Sequence, residues 1–221
     1  MKILNLYCGI GGNRKMWGNE HEVTAVENVP EIAKIYQDFF PKDKVIIADA
    51  HQYLLDHYKE FDFIWSSPPC PTHSGTNNFL NAQGVVRYPD MALWQEIIFL
   101  NHFCKKKWVV ENVISYYEPF IRPQQSGRHY FWANFLIPFK EIECKFNIAN
   151  MRATTRKEPE ENLRSLELFH GIKLPDKTKN ARMLLRNCVK PELGKHIFDF
   201  AFKNKQLTLL DKNLSGGGKD V

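Results

Sequence analysis

The stretch Phe61-Asp62-Phe63-Ile64-Trp65-Ser66-Ser67-Pro68-Pro69-Cys70 carries an apolar run into a proline pair and then a cysteine. The run at 61–65 is typical of a buried strand, and the two prolines stiffen the turn that holds the thiol. A second apolar run, at 109–113, brings Glu111 to the end of another strand. A thiol nucleophile and a carboxylate that can transfer a proton would thus both lie at strand ends, where together they could attack and protonate an unreactive ring. This pairing indicates chemistry on a pyrimidine carbon.

On both sides of this stretch, short apolar runs alternate with amphipathic segments. Strands are predicted at 3–7, 22–27, 44–48, 61–65 and 108–111, and helices at 30–40, 51–58 and 90–104. Strands that alternate with helices need crossover connections, so the sequence predicts an α/β fold whose mostly parallel sheet has helices on both faces. Ligands of such sheets bind beyond the carboxyl ends of the strands, where Cys70 and Glu111 fall.

The chain divides into a main domain and shorter segments. Residues 1–137 are predicted to form the main domain, and residues 138–185 a small basic appendage with a helix at 158–170. Residues 186–210 are predicted to return to the main domain as a helix, with helical, apolar character at 187–202, and the glycine-rich tail at 211–221 to be disordered. The polar segment 72–88 is too long for a simple connector, and we expect it to be a mobile loop.

The charge of the chain is unevenly distributed. The net charge is +5 over 221 residues. The excess lies in residues 138–221, which hold 17 Lys and Arg against 11 Asp and Glu. Such an excess suggests a surface that meets phosphate, while a solvated charged face is the alternative that charge alone leaves open.

Composition also bears on the compartment. No apolar run approaches the roughly 18 residues needed to cross a bilayer, and the N-terminus has no signal-peptide layout. The five cysteines are scattered and form no CxxC pair. We therefore expect reduced thiols in a cytoplasmic protein with no metal site.

A glycine-rich turn follows the first strand. Its sequence, Tyr7-Cys8-Gly9-Ile10-Gly11-Gly12, fits neither the dinucleotide nor the phosphate-loop pattern, and by itself it is a weak signal for a cofactor. Glu27 and Asp49 end the second and third strands, where one carboxylate can accept from ribose hydroxyls and the other from an adenine amine. The alternatives are a surface Glu27 and an Asp49 that caps the helix after it. Because three consecutive strand ends carry suitable groups, we favour cofactor binding over these alternatives.

Cys70 has two further interpretations. A lone cysteine is most often a small buried hydrophobe, but a Pro-Pro turn followed by polar residues is a poor place for core packing. His73 resembles a general base for a cysteine hydrolase. Its spacing in an irregular turn says little about geometry and no oxyanion arrangement is evident, so this interpretation ranks below a nucleophile that attacks a ring.

The motifs occur together as Tyr7-Cys8-Gly9-Ile10-Gly11, Glu27, Asp49, Pro68-Pro69-Cys70, Glu111-Asn112-Val113, Gln124-Gln125-Ser126-Gly127-Arg128-His129-Tyr130 and Asn187-Cys188-Val189-Lys190-Pro191. In this order the set resembles the DNA cytosine C5-methyltransferase family and covers nearly the whole chain. Pro-Pro-Cys followed by Glu-Asn-Val is quite specific, because amino-group methyltransferases carry an aromatic residue after Pro-Pro and need no thiol.

The resemblance implies a Rossmann-like S-adenosylmethionine-dependent methyltransferase fold with a small appended recognition segment. S-adenosylmethionine would lie over the glycine turn, with Glu27 at its ribose and Asp49 at its adenine. The residues that the resemblance assigns to the cofactor are Tyr7, Cys8, Gly9, Ile10, Gly11, Glu27, Asn28, Asp49, Ala50, Pro68, Asn187 and Val189.

The resemblance also implies three catalytic residues. The Cys70 thiolate attacks C6 of cytosine, Glu111 bonds N3 and the exocyclic amine, and Arg128 contacts the base O2 and steadies Cys70. Because C6 is stacked inside a duplex, the base must be flipped out, with the loop at 72–88 as a lid. The residues assigned to the substrate are Ser67, Pro69, Ser74, Asn112, Gln124, Lys140, Arg152 and Arg156.

Several positions depart from the family pattern. Pro71 replaces a usual glutamine, Ser126 a common arginine and His73 a frequent aromatic residue. The segment between Tyr130 and Asn187 is short for a target-recognition domain. The expected enzyme is a compact, monomeric, nucleoid-associated or virus-encoded DNA (cytosine-5-)-methyltransferase acting on duplex DNA. A tRNA or single-strand methyltransferase, and a non-catalytic nucleic-acid-binding relative, are the alternatives.

Overall fold

The sheet has seven strands. The computed structural model describes residues 1–143 and 159–203. The strands are β1 (Lys2–Leu6), β2 (Glu22–Glu27), β3 (Lys44–Ile47), β4 (Phe63–Ser66), β5 (Lys107–Val113), β6 (Gln124–Ser126) and β7 (His129–Ala133), in the spatial order β3-β2-β1-β4-β5-β7-β6. The predicted α/β fold with a mostly parallel sheet is confirmed.

Five strands are parallel and two are antiparallel. β1 pairs with β2 and β4, β2 with β3, and β4 with β5, all in parallel. β7 runs antiparallel between β5 and β6. The sequence did not predict β6 and β7, because β6 is only three polar residues long and a tight turn at Gly127 joins it to β7. This hairpin extends the sheet beyond β5 and sets His129 opposite Val113.

Helices cover both faces of the sheet. They are α1 (Pro30–Phe39), α2 (Ala50–His57), α3 (Thr76–Ala82), α4 (Ala92–Phe103), α5 (Pro159–His170), α6 (Ala181–Arg186) and α7 (Pro191–Phe202). On one face α2 and α4 pack against Leu4, Ile64 and Val110, and on the other α7 packs against Ile3, Phe63 and Val109. Burial on both faces explains why the central strands are continuous apolar runs rather than alternating ones.

Helices α5 and α6 pack beside α1. Leu166 of α5 and Leu185 of α6 form a buried cluster with Ile10 from the glycine-rich turn. The boundary predicted at residue 137 stays a prediction, as does the tail, which lies outside the described residues. The predicted helical character from 187 begins only at Pro191, since that proline opens α7 and the residues before it form a separate turn.

The segment predicted as a mobile loop at 72–88 contains a helix. α3 spans Thr76–Ala82, and Asn77 is fully buried and donates from Nδ2 to the carbonyls of Pro71 and Ser74. The segment is therefore helical in part, because the side chain of Asn77 satisfies the backbone of the preceding turn, and its mobility stays a prediction. Phe79, Val86 and Tyr88 remain exposed on this segment.

A buried ion pair supports the turn after β1. Arg14 donates from Nε and Nη2 to the two carboxylate oxygens of Asp43 over 2.9 and 3.0 Å, and both side chains are buried. The hydroxyl of Tyr36 donates to Oδ2 of Asp43 over 2.8 Å. The three groups tie the turn to α1 and to the loop before β3, so they help to hold the carboxyl edge of the sheet in place.

Candidate active site

The glycine-rich turn leaves room beside Glu27. Tyr7 and Gly9 have positive φ angles of 52° and 53°. A side chain at Gly9 would meet no described atom within 4 Å, whereas one at Gly11 would run into Tyr36 and Phe40. Open space at Gly9 is what a ligand lying against the backbone requires.

Glu27 is held rigidly at this opening. Its buried carboxylate accepts hydrogen bonds from the backbone N–H groups of Gly9 and Val29, each over 3.1 Å. A carboxylate oxygen has more than one acceptor site, so each oxygen can still accept a ligand hydroxyl. The structure therefore brings Glu27 and Gly9 together as the sequence predicted.

The other residues predicted for the cofactor fall into two groups. Asp49 is exposed and caps α2, accepting from the backbone N–H of Gln52 over 2.8 Å, as the alternative interpretation held. Cys8 and Ile10 turn their side chains into the core, so only their backbone is available at the turn. Asn28 is exposed near Glu27, and Ala50 is buried at the start of α2.

The segment before α7 closes against the glycine-rich turn. A side chain at Gly12 would collide with Cys188 Sγ and the carbonyl oxygen of Val189, so the two segments pack with no room between them. Asn187 is exposed at the end of α6, and Val189 is buried. Residues from the two ends of the chain therefore meet at one edge of the sheet.

Hydrogen bonds hold the turn that carries Cys70. Asn112, buried at the end of β5, donates from Nδ2 to the carbonyl oxygen of Pro68 over 3.0 Å. The carbonyl oxygen of Cys70 accepts from the backbone N–H groups of His73 and Ser74. The position of the thiol is thus set from both sides of the turn.

The thiol of Cys70 is half-buried and lies in a charged environment. Burial and the negative charge of Glu111 raise the pKa of Cys70 to about 11, although the positive charges of Arg128 and Arg186 act in the opposite direction. The parallel pairing of β4 with β5 and the bond from Asn112 to Pro68 place Cys70 and Glu111 at neighbouring strand ends.

Glu111 has a buried partner that the sequence analysis missed. Nδ1 of His129 lies 2.6 Å from Oε1 of Glu111, and both side chains are buried. His129 is the first residue of β7, an element that was not predicted. Its position next to Arg128 was the only signal in the sequence.

Arg128 lies at the surface of the same site. Its side chain is exposed and donates from Nη2 to the carbonyl oxygen of Arg186 over 2.6 Å. The residue therefore joins the β6–β7 turn to the end of α6, close enough to Cys70 for its charge to lower the pKa of the thiol.

Some residues predicted for the substrate have structural partners. The hydroxyl of Ser67 accepts from the indole of Trp65, and that of Ser74 accepts from the backbone N–H and the hydroxyl of Thr76. Gln124 bonds the backbone of Phe135 and Ile137, so its amide holds the segment after β7 rather than turning toward Cys70.

The remaining substrate predictions are less closely placed. Lys140 donates to the carbonyl oxygen of Glu192, and Pro69 is exposed next to the thiol. Arg152 and Arg156 lie outside the described residues.

His73 is engaged away from the thiol. Its Nδ1 lies 2.6 Å from the hydroxyl of Tyr117, and burial lowers its pKa. This arrangement gives the ring a structural partner on the segment after β5, and it does not form the thiol–imidazole pair of a hydrolase.

A second missed cluster surrounds Glu96 of α4. This fully buried carboxylate accepts from the hydroxyls of Tyr7 and Ser66, each over 2.6 Å, and Nδ1 of His51 lies 3.0 Å away. Its hydrogen bond raises the pKa of His51, and burial together with its charge raises that of Tyr7. Glu96 thus joins the ends of β1 and β4 to the start of α2, all at the edge where the cofactor residues gather.

The comparisons with known proteins assign the chain to a family. The family model for C-5 cytosine-specific DNA methylases matches residues 1–114, just over half of the chain. The chain therefore belongs to the C-5 cytosine-specific DNA methylase family. Comparison with curated proteins gave no significant match.

Solved structures share the fold. A mutant of DNMT2 from Spodoptera frugiperda is 16% identical with a TM-score of 0.60, over 91% of this chain and 99% of that one. The methyltransferase EhMeth from Entamoeba histolytica is 10% identical with a TM-score of 0.52, over 91% of this chain and 98% of that one. At these identities the likeness concerns the fold.

The family makes the chain a methyltransferase whose cofactor is S-adenosylmethionine. The residues present fit that molecule, since open space at Gly9 adjoins a fixed carboxylate at Glu27. Within residues 1–143 and 159–203, no helix has the length and apolarity needed to span a membrane.

Proposed function

We propose that the protein transfers a methyl group to C5 of cytosine in DNA through a covalent bond between Cys70 and C6. The observation that supports the proposal is that Asn112, the residue after Glu111, bonds the carbonyl oxygen of Pro68 and so holds the end of β5 against the turn that carries Cys70. A nucleic-acid-binding relative without catalysis would need neither the thiol nor the carboxyl. When bound, S-adenosylmethionine supplies the methyl group.

Cys70 is the proposed nucleophile. Because burial keeps the pKa of its thiol near 11, the free protein holds mostly the neutral thiol at physiological pH. When the base enters, the thiol gives its proton to water, and the charges of Arg128 and Arg186 favour the thiolate that forms. The thiolate then forms a bond to C6, which makes C5 electron-rich.

Glu111 is the proposed proton donor. As the bond from sulfur to C6 forms, N3 of the ring takes a proton from the carboxyl of Glu111, so no full negative charge builds up on the ring. After the methyl group has joined C5, the C5 proton is lost to a base and the bond from sulfur to C6 breaks. N3 returns its proton to Glu111, and Cys70 leaves as a thiolate.

The proposed substrate base is flipped out of its helix. The thiol of Cys70 is half-buried on a turn that hydrogen bonds hold in place, so it cannot reach C6 inside a stacked duplex. The base therefore has to enter the site. The exposed side chains of Phe79, Val86 and Tyr88, on the segment that follows Cys70, are suited to cover an extruded base or to contact the gap that it leaves. The excess of Lys and Arg in the sequence of residues 138–221 is suited to the phosphates.

The experiment is transfer of a tritium-labelled methyl group from S-adenosylmethionine to defined polynucleotides. Duplex DNA, single-stranded DNA and tRNA are assayed side by side, and we expect the largest incorporation into duplex DNA, at C5. Greater incorporation into tRNA would assign the enzyme to RNA. A wild-type protein that methylates none of these cytosine-containing substrates would end the proposal.

The covalent step is tested with an oligonucleotide that contains 5-fluorocytosine. Since fluorine at C5 cannot leave as a proton, the complex should be trapped as an adduct that survives denaturation and maps to Cys70 by mass spectrometry. Cys70→Ala should form no adduct and bind S-adenosylmethionine as the wild type does. Cys104→Ala is the matched control, because Cys104 is buried at the end of α4.

A further inference from the structure

His129 and Glu111 form a buried, hydrogen-bonded pair in the sheet. Their side chains lie diagonally across β5 and β7, with Nδ1 and Oε1 separated by 2.6 Å. The exposed fractions of the two residues are 5% and 6%, so little water competes for the bond. A contact of 2.6 Å between two buried side chains restricts the orientation of the carboxyl of Glu111.

We propose that His129 is a positioning residue for methyl transfer, which directs Glu111 at the base and stabilises its negative charge. The inference rests on the proposed function. By donating from Nδ1 to Oε1, His129 occupies one carboxyl oxygen and leaves Oε2 to give its proton to N3 of cytosine. The carboxylate that results keeps its bond to the imidazole, so the charge formed in the step has a partner already in place.

Arg128 makes a different contact. Its side chain is exposed and donates to the carbonyl oxygen of Arg186. Arg128 belongs to the turn between β6 and β7, whereas His129 is the first residue of β7. The motif around residue 128 therefore contributes two separate groups, a cation near the thiol and a histidine on the carboxyl.

Other groups surround the pair and share its electrostatics. Arg128 and Arg186 influence the thiol, and His129 is near enough to His170 to influence its titration together with Lys190. The charged and titratable groups that any pH dependence has to include are Glu111, Cys70, Arg128, Arg186, His170 and Lys190.

The main test is a pair of variants at residue 129. Asparagine places an amide nitrogen near the position of Nδ1, so His129→Asn keeps a donor for Glu111 but cannot titrate. Leucine keeps bulk and removes the donor. We expect kcat of His129→Leu to fall on the order of 100-fold with KM for S-adenosylmethionine within about 2-fold, and His129→Asn to recover much of the loss.

A double-variant cycle separates positioning from general stability. If His129 acts through Glu111, then Glu111→Gln combined with His129→Leu should be no slower than Glu111→Gln alone, within about 2-fold. If the double variant instead loses kcat by the product of the two single-variant factors, the inference is overturned. His102→Leu, at an exposed histidine near the end of α4, is the matched control and should keep wild-type kcat.

A measurement without turnover completes the test. In protein labelled with ¹⁵N-histidine, the ring signals of His129 are identified by their loss in His129→Asn, and we expect a proton on Nδ1. A ring protonated only on Nε2 would overturn the inference. If the wild type is active and His129→Leu is equally active, only the role of His129 is refuted. If the wild type is inactive, the proposed function is refuted, and the role of His129 with it.

Discussion

Asn112 donates a hydrogen bond from Nδ2 to the carbonyl oxygen of Pro68 over 3.0 Å, and its own Oδ1 accepts from the backbone N–H of Val113. The bond joins the end of β5 to the turn at the end of β4. It therefore fixes the distance between the residue before it, Glu111, and the thiol of Cys70. Because Asn112 is 1% exposed, water does not compete for this bond in the folded protein.

Asn112→Ala should lower kcat by about 10- to 100-fold, since a displacement of about 1 Å between reacting groups costs roughly that much. Binding of S-adenosylmethionine, measured by calorimetry, should change by less than about 2-fold. Asn134→Ala removes two side-chain bonds to the backbone just past the opposite end of β7, to Lys106 and Trp108, and this exposed residue serves as the control. Equal losses in both variants would mean that Asn112 only stabilises the sheet.

Alkylation of Cys70 by iodoacetamide should accelerate tenfold per pH unit at neutral pH and level off near pH 11. Only the thiolate reacts, and burial holds the pKa of this thiol at about 11. Arg128→Gln removes a positive charge that lowers this pKa, so alkylation at pH 8 should slow. Mass spectrometry of the Cys70 peptide measures both rates, with buried Cys188 as the internal reference. Faster alkylation of Arg128→Gln would contradict the electrostatic assignment.

Glu96→Gln should weaken binding of S-adenosylmethionine by roughly 5- to 20-fold, because bonds to a charged acceptor contribute about 1.5–3 kcal/mol each and Tyr7 borders the cofactor turn.

The hydrogen bond to Glu96 raises the pKa of His51. A histidine whose pKa is raised in the folded protein stabilises the fold at low pH, and this stabilisation is lost as the pH rises through the folded pKa. The difference in Tm between wild type and His51→Gln should therefore be larger at pH 5.5 than at pH 8.5. A constant difference would contradict this assignment.

Asp43→Asn should lower the free energy of unfolding by about 3–5 kcal/mol, because it leaves the buried guanidinium of Arg14 without its counter-charge. Urea unfolding followed by circular dichroism measures the change. The control is Asp62→Asn, which disrupts an exposed pair with Lys106 and should cost at most about 1 kcal/mol. Similar values for the two variants would show that burial of the Arg14 pair adds nothing.

Much of the fold was readable in the sequence, and β2 at Glu22–Glu27 has the predicted bounds. A fully buried strand is a continuous apolar run, which is a local signal. The proline pair and the carboxylates at strand ends are local too, so the sequence alone was enough to single out Cys70, Glu27 and Glu111. The helix inside 72–88 was missed because a single buried side chain, that of Asn77, organises a segment with weak local preference.

The sequence by itself determined the first five strands, the helices α1, α2 and α4 between them, the family resemblance, and the thiol and the carboxylate at strand ends, because each of these depends on local runs of residues. Only the tertiary structure decided that His129 bonds Glu111 and that Glu96 bonds Tyr7, pairs that lie 18 and 89 residues apart. The physical reason is that a polar group taken out of water must find a partner wherever the packed sheet provides one. Packing brings that partner close in space, and no local pattern in the sequence records it.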